Sequence, residues 1–329
     1  MTMYGLMLST EVSMTASSVV YVVAAVITNK QGKVLIAKRP DDKHQGGLWE
    51  FPGGKLEADE TREQGLGREL HEELGITVQA CQPLIQIHHD YTDKSVMLDV
   101  WRVTDFTGEA HGREGQAIRW VSPDDFDDYD FPDANHPIIN AARLPNCYMI
   151  TPEPDLDNLD EYFSKLKQAL ETDIRLVQYR AKKLSPEQLL SVAKKVIRLC
   201  EQYQAKCIAN MSIENALAIS AHGVHLTSQR LFDFDKRPVD ETISLVASCH
   251  TMDDLKQAQK IKADFVVLSP VKATTSHPDA IPLGWEQFSD MVSEINLPVY
   301  ALGGMKIDDV DDALNVGGQG IAAIRSLWP

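Results

Sequence analysis

Glu69, Glu72 and Glu73 stand at i, i+3 and i+4, so a helix through this segment stacks three carboxylates on one face. Like charges at these spacings destabilise a bare helix by about 0.2–0.5 kcal/mol per pair. A hard cation with oxygen ligands removes that repulsion, and Mg²⁺ shared between carboxylates and substrate phosphates suits such a set. Arg68, beside the cluster, and Glu60, about two turns earlier, are placed to orient it. The chemistry open to this arrangement is attack of water on a phosphate chain, whose negative charge otherwise repels hydroxide. The other reading is a solvated acidic helix, which is what most Glu-rich helices are.

The helix carries its own boundaries. Thr61 and Gln64 form a capping-box pair, and Gly75 stands where a C-terminal stop is expected. Gly65 and Gly67 fall inside it, each costing about 1 kcal/mol relative to Ala, and close packing against a sheet is the expected reason. Upstream, Val19–Thr28, the turn Asn29–Gly32 and Lys33–Lys38 read as a hairpin. Val96–Thr104 and Ala117–Val121 read as further strands, and the acidic stretch Asp124–Asp133 as a solvated loop. From Cys147 the grammar changes. Eight short β-rich runs (Tyr148–Thr151, Leu176–Tyr179, Lys206–Ala209, Gly223–Leu226, Leu245–Ser248, Phe265–Leu268, Val299–Leu302, Gly320–Ile324) alternate with mostly amphipathic stretches. Eight parallel β/α units predict a closed barrel.

The fold class expected is therefore α/β and α+β in two domains. Residues 18–145 form a mixed sheet with flanking helices, and residues 146–329 a compact (β/α)8 TIM barrel. Residues 1–17 read as an N-terminal extension of unclear role, with Met14 as an alternative start. The length of 329 residues agrees with two domains of roughly 150 residues. A composition 43% hydrophobic and 24% charged is that of a globular protein. The net charge of -16 repels a nucleic-acid backbone, leaving small phosphorylated ligands that a bound cation can accommodate. Cys81, Cys147, Cys200, Cys207 and Cys249 are odd in number and form no CxxC pair, as expected of buried thiols in a reducing compartment. No apolar run is long enough to span a membrane, and no basic region precedes Val19–Ile27 as in a signal peptide. The expected setting is cytoplasmic, with no membrane or direct nucleic-acid partner.

Gly54, five residues, Glu60, seven residues, then Arg68-Glu69-Leu70-His71-Glu72-Glu73-Leu74-Gly75-Ile76 resembles the signature of Nudix hydrolases at every fixed position. The resemblance implies hydrolysis of a nucleoside diphosphate linked to another moiety. It also implies Mg²⁺, with Mn²⁺ as a substitute, held by Glu69, Glu73 and the Gly53 carbonyl, with Glu72 as ligand or base. Over roughly Val20–Leu144 the chain is further similar to the MutT type, which sanitises oxidised guanine nucleotides. Arg39, followed by His44, matches nucleotide-contacting positions, and Glu50-Phe51-Pro52-Gly53 resembles the substrate-facing strand. Glu114 matches an additional loop carboxylate, and Asn135 the asparagine that reads the purine. An amide offers donors and an acceptor to a purine edge. An acceptor opposite the N7 hydrogen of 8-oxoguanine would discriminate against guanine. His88–Lys94 departs from that type's pocket. The resemblance implies conversion of 8-oxo-dGTP to 8-oxo-dGMP and pyrophosphate. The alternatives are a Nudix hydrolase for a thiamine-related diphosphate, or a regulator that binds without rapid turnover.

Residues 147–329 resemble thiamine-phosphate synthase and the related thiazole tautomerase. Gln178-Tyr179-Arg180-Ala181-Lys182 resembles the motif binding the pyrimidine diphosphate, and Gly303 and Gly304 a phosphate loop. The departures are pointed. Met211 and Arg230 stand where the synthase has Mg²⁺-binding aspartates, and His222 where an aspartate is usual. His277 replaces a lysine, Arg325 a serine, and Pro270 the tautomerase histidine. A thioether and an arginine do not hold Mg²⁺, so magnesium-dependent synthesis is not expected of this domain. Three readings stay open. The barrel binds a phosphorylated ligand through Gln178, Arg180, Lys182, Gly303, Gly304 and Arg325; it performs metal-free or residual chemistry with His225, His250 or His277; or it is a vestigial or regulatory partner. Oligomeric state is not legible.

Overall fold

A computed structural model describes residues 19–42, 45–90, 95–274 and 279–329. In chain order the first domain is β1 (Val19–Ile27), β2 (Val34–Lys38), β3 (Trp49–Glu50), β4 (Gly53–Lys55), helix α1 (Arg62–Leu74), β5 (Thr77–Asp90), β6 (Ser95–Thr107), β7 (Ile118–Val121) and α2 (His136–Arg143). Two sheets form, in the orders β4-β1-β6-β5 and β3-β2-β7. The half of β1 from Val23 to Ile27 is buried throughout. It pairs parallel with β6 on one edge and antiparallel with β4 on the other, with Val23 opposite Gly54 and Ala24 opposite Gly53.

That pairing corrects the expected hairpin. Both edges of β1 are taken, so β2 leaves after one bridge, Thr28 to Val34, and joins the second sheet. The stretch Asp124–Asp133 is likewise more than a solvated loop. Pro123–Asp128 is a 3-10 turn whose Phe126 is buried against Phe51 at 5.7 Å between ring centroids. Phe131 stacks on Phe51 at 5.6 Å. The aromatic side chains of this acidic segment thus brace the strand carrying Glu50.

Helix α1 has the expected ends. The Gln64 amide donates to the Thr61 hydroxyl, the Thr61 amide donates to the Gln64 side chain, and Gly75 closes the helix at φ 72°. Leu66, Leu70 and Leu74 are fully buried on the sheet side. Gly65 also packs closely: a Cβ there would stand 2.6 Å from Leu56 Cδ1. Gly67 faces open space, and nothing in the structure explains it.

The second domain contains β8 (Cys147–Ile150), α3 (Leu159–Glu171), β9 (Leu176–Tyr179), α4 (Pro186–Gln202), β10 (Lys206–Ala209), α5 (Ile213–Ala218), β11 (Gly223–Leu226), α6 (Ser228–Leu231), β12 (Ser244–Cys249), α7 (Met252–Lys260), β13 (Phe265–Leu268), α8 (Gly284–Ser293), β14 (Val299–Leu302), α9 (Val310–Asn315) and β15 (Gly320–Ala323). The eight strands close a parallel barrel in sequence order. Tyr148, Phe265, Tyr300, Ile208, Val246 and Val267 fill its interior.

The first domain is docked on the N-terminal ends of the barrel strands. Just before β15, Gln319 Nε2 donates to the carbonyls of Ala141 (3.3 Å) and Leu144 (3.1 Å). The Tyr300 hydroxyl in β14 donates to the Pro145 carbonyl. The side-chain amide of Asn296, ahead of β14, pairs with the backbone of His88: Oδ1 accepts from the His88 amide at 2.8 Å and Nδ2 donates to the His88 carbonyl at 2.7 Å. The C-terminal mouth, where barrels build their sites, is at the opposite end. Among the described residues no helix is long and apolar enough to cross a membrane.

Candidate active site

The strand-turn Glu50–Gly54 and helix α1 bring the acidic residues together. The Gly53 amide donates to Glu73 Oε2 at 3.2 Å. A Cβ on Gly54 would collide with the Glu69 carboxylate, and one on Gly53 with the Val23 carbonyl, so both glycines are required by space. Gly53 also has φ 151°. Arg68 gathers the remaining carboxylates. Its Nε donates to Glu60 Oε1 (2.7 Å), and its terminal nitrogens donate to Glu60 Oε2 (3.0 Å), Glu69 Oε1 (2.9 Å), Glu72 Oε2 (3.3 Å) and the Lys55 carbonyl (3.0 Å).

The Glu73 carboxyl is pushed up to about 8, first by burial and then by Glu50, Glu69 and Glu114, while the Gly53 amide partly offsets them. Four carboxylates therefore share one electrostatic neighbourhood. Glu50 is itself raised by burial, opposed by its ion pair with Arg39. Among the described residues no three acidic, His or Cys side chains already converge as a finished metal site. The donor set nonetheless fits a hard cation: it is all oxygen, crowded, and carries a carboxylate that burial and, after it, neighbouring negative charge drive toward protonation.

Glu114 is kept beside Glu73 by a loop fastened to the end of α1. The Arg113 amide and Gln116 Nε2 donate to the Glu73 carbonyl at 2.9 and 3.1 Å, and the Arg113 guanidinium to the His71 carbonyl at 2.9 Å. Sequence reading missed Arg113 and Gln116. The available signal was that the last carbonyls of a helix need outside donors. Asn135 is buried at the start of α2, and its side chain makes no cap hydrogen bond there. Asp130, just ahead of it, accepts from the Trp49 amide at 2.8 Å, so this segment runs along β3 and Glu50. His44 and Tyr91–Lys94 lie outside the described residues.

In the barrel, a cavity of about 1120 Å³ opens at the C-terminal strand ends, lined by Gln178, Arg180, Lys182, His250, Gly303, Gly304 and Arg325 among others. His250 Nδ1 lies 2.8 Å from the Ser269 carbonyl, which only accepts, so Nδ1 is the donor in this contact. His225 is a correction to the expected set. It points into the barrel interior, fully buried, between Tyr148 Oη (3.2 Å), Gln178 Nε2 (3.0 Å) and Ser248 Oγ (2.7 Å). Burial, then the nearby Arg180 charge, pushes it down to about 3, so it is a neutral, satisfied core residue and not part of the cavity wall. His277 lies outside the described residues. Sequence reading also missed Glu153, whose carboxylate accepts from the Lys182 amide (2.8 and 3.0 Å) and the Lys183 amide (2.7 Å).

Comparison with known proteins divides the chain the same way. Residues 23–141 match the model of the NUDIX domain, and residues 147–327 that of thiamine monophosphate synthase. The 8-oxo-dGTP diphosphatase of Proteus vulgaris is 46% identical over 29% of this chain and 85% of its own. The CTP pyrophosphohydrolase of Escherichia coli is 40% identical over 36% of this chain and 88% of its own. A protein of Aquifex aeolicus named putative thiamine-phosphate synthase 2 is 34% identical over 55% of this chain and 97% of its own. The chain thus belongs to the Nudix hydrolases through its first domain and to the thiamine monophosphate synthase family through its second.

Proposed function

We propose that the first domain hydrolyses 8-oxo-dGTP to 8-oxo-dGMP and pyrophosphate, removing an oxidised nucleotide from the precursor pool. The observation that carries the reading is the crowding of Glu50, Glu69 and Glu114 around a half-buried Glu73. Glu69, Glu73, Glu114, Glu72 and the Gly53 carbonyl would hold Mg²⁺, or Mn²⁺, which when bound neutralises the phosphate chain and acidifies water. Arg68 keeps Glu69 and Glu72 pointed to the same side of α1. The Glu72 side chain, 56% exposed, has the room to accept a proton from the attacking water. Arg39 and Glu50 face the nucleotide, and Asn135 contributes an acceptor to the N7 hydrogen of the oxidised base. Relatives named for 8-oxo-dGTP and for CTP place both nucleotides in the test.

Phosphorus NMR of a reaction with 8-oxo-dGTP and Mg²⁺ should show pyrophosphate and the nucleoside monophosphate in equal amounts. Release of single orthophosphates would contradict the proposed bond cleavage. For the barrel, we propose binding of a small phosphorylated molecule at the mouth, with Arg180, Lys182, Arg325 and the Gly303–Gly304 backbone as its anion contacts.

A further inference from the structure

In a chain of net charge -16, the barrel cavity is lined by Arg180, Lys182, Lys306 and Arg325, with Glu153 as its one carboxylate among the described residues. Glu153 is already committed, both oxygens accepting backbone amides of the following loop. Among the described residues no carboxylate in the wall is therefore left to hold a divalent cation, which needs several hard, preferably charged oxygens. The two positions where the synthase carries metal-binding aspartates are closed as well. Met211 is buried, and Arg230 donates to the Met211 carbonyl at 2.7 Å, so a fixed guanidinium and a thioether stand there. The residues do not fit the Mg²⁺ that the family implies.

We propose that this cavity binds its phosphorylated ligand without any divalent cation, the positive charge being supplied by Arg180, Lys182, Lys306 and Arg325. Guanidinium and ammonium groups give charge-assisted hydrogen bonds to phosphate oxygens, and arginine does so in a two-pronged geometry. The rest of the wall mixes apolar groups (Ile150, Pro270, Leu302) with neutral polar ones (Gln178, Asn210, His250), so the ligand class is an organic phosphate or diphosphate whose compact body carries both apolar surface and hydrogen-bonding groups. The two halves then differ in kind: metal ions serve the Nudix site, while the mouth at the far end of the barrel works in their absence. The inference rests on the phosphate-binding reading of the cavity.

The test is calorimetric titration of inorganic pyrophosphate into the full chain carrying Glu73→Gln, in excess EDTA and again in Mg²⁺. In EDTA, binding should persist with an affinity within about threefold of the Mg²⁺ value. It should weaken at least tenfold in R180Q/K182Q, and also in the independent single variant R325Q, with circular dichroism showing each variant folded. Binding seen in Mg²⁺ and lost in EDTA would overturn cation independence while leaving the phosphate reading standing. No binding in either condition would remove the phosphate reading itself. Binding in EDTA that ignores both sets of substitutions would place the anion elsewhere on the molecule.

Discussion

The amide of Gly53 donates to the carboxylate of Glu73 at 3.2 Å, joining the strand-turn Glu50–Gly54 to the helix that carries the acidic cluster. That bond lowers the carboxyl's affinity for protons, yet burial and three acidic neighbours outweigh it, and Glu73 rests at about 8. The site is thus built around a repulsion that a cation would relieve.

A pH dependence of stability follows. An ordinary carboxyl titrates near 4.5, whereas Glu73 in the folded chain titrates at about 8. Between those values the folded state keeps a proton that the unfolded chain releases, so without metal stability falls as pH rises through this window. Melting curves in EDTA from pH 5 to 8.5 should show the first domain losing Tm with rising pH. Mg²⁺ should flatten the loss, and so should Glu73→Gln, which is neutral throughout. The same slope in wild type and E73Q would contradict the Glu73 carboxyl as its origin.

Glu73→Gln should also reduce hydrolysis by roughly 10²–10³-fold, the range for removing one group that stabilises transition-state charge. The fold should survive, because the amide oxygen of Gln can still accept from Gly53. Steady-state rates at saturating Mg²⁺ check this.

Arg68 acts through Glu60, Glu69 and Glu72, and is a positioning residue. Arg68→Lys keeps the charge and loses the fork, so kcat should fall by about 10–100-fold, as for groups that orient metal ligands. The Mg²⁺ concentration for half-activation should rise while KM for the nucleotide changes little. A change confined to KM would assign Arg68 to substrate instead.

Asn135→Ala should erode discrimination and leave turnover largely intact. Losing one specific hydrogen bond to the base amounts to about 1–3 kcal/mol, so the preference for 8-oxo-dGTP over dGTP should shrink roughly 5- to 150-fold. Competition between the two nucleotides measures it directly.

Much of this was legible because the signals were local. The barrel strands announced themselves as short apolar β-rich runs, since a closed parallel sheet covered by helices buries both faces of its strands. The α1 boundaries were written in Thr61, Gln64 and Gly75. What escaped was non-local. The strand Thr77–Asp90 carries Pro83 and register shifts between Val78 and Ala80 and between Pro83 and Ile85, which blur its alternation. Partner choice between β1 and β2 depended on β4 and β6 occupying both edges of β1. Whether His225 faced the cavity or the barrel interior depended on strand register, and the roles of Glu153, Arg113 and Gln116 depended on loops meeting in space.

The docking of the domains should matter to stability. Gln319 is buried and supplies the donor to the Leu144 carbonyl. Gln319→Leu leaves that carbonyl without its partner, so thermal unfolding should show a loss of about 1–3 kcal/mol. An unchanged melting curve would show that water or a shift of the linker replaces the bond.

The decisive quantity for the function of the first domain is kcat/KM with Mg²⁺ for 8-oxo-dGTP, measured against dGTP and CTP under identical conditions. A preference for 8-oxo-dGTP of several hundredfold, equivalent to roughly 4 kcal/mol of discrimination, is expected. Equal rates on dGTP, or a preference for CTP, would contradict the assignment of Asn135 as the reader of an oxidised purine and of the domain as a sanitiser of the nucleotide pool.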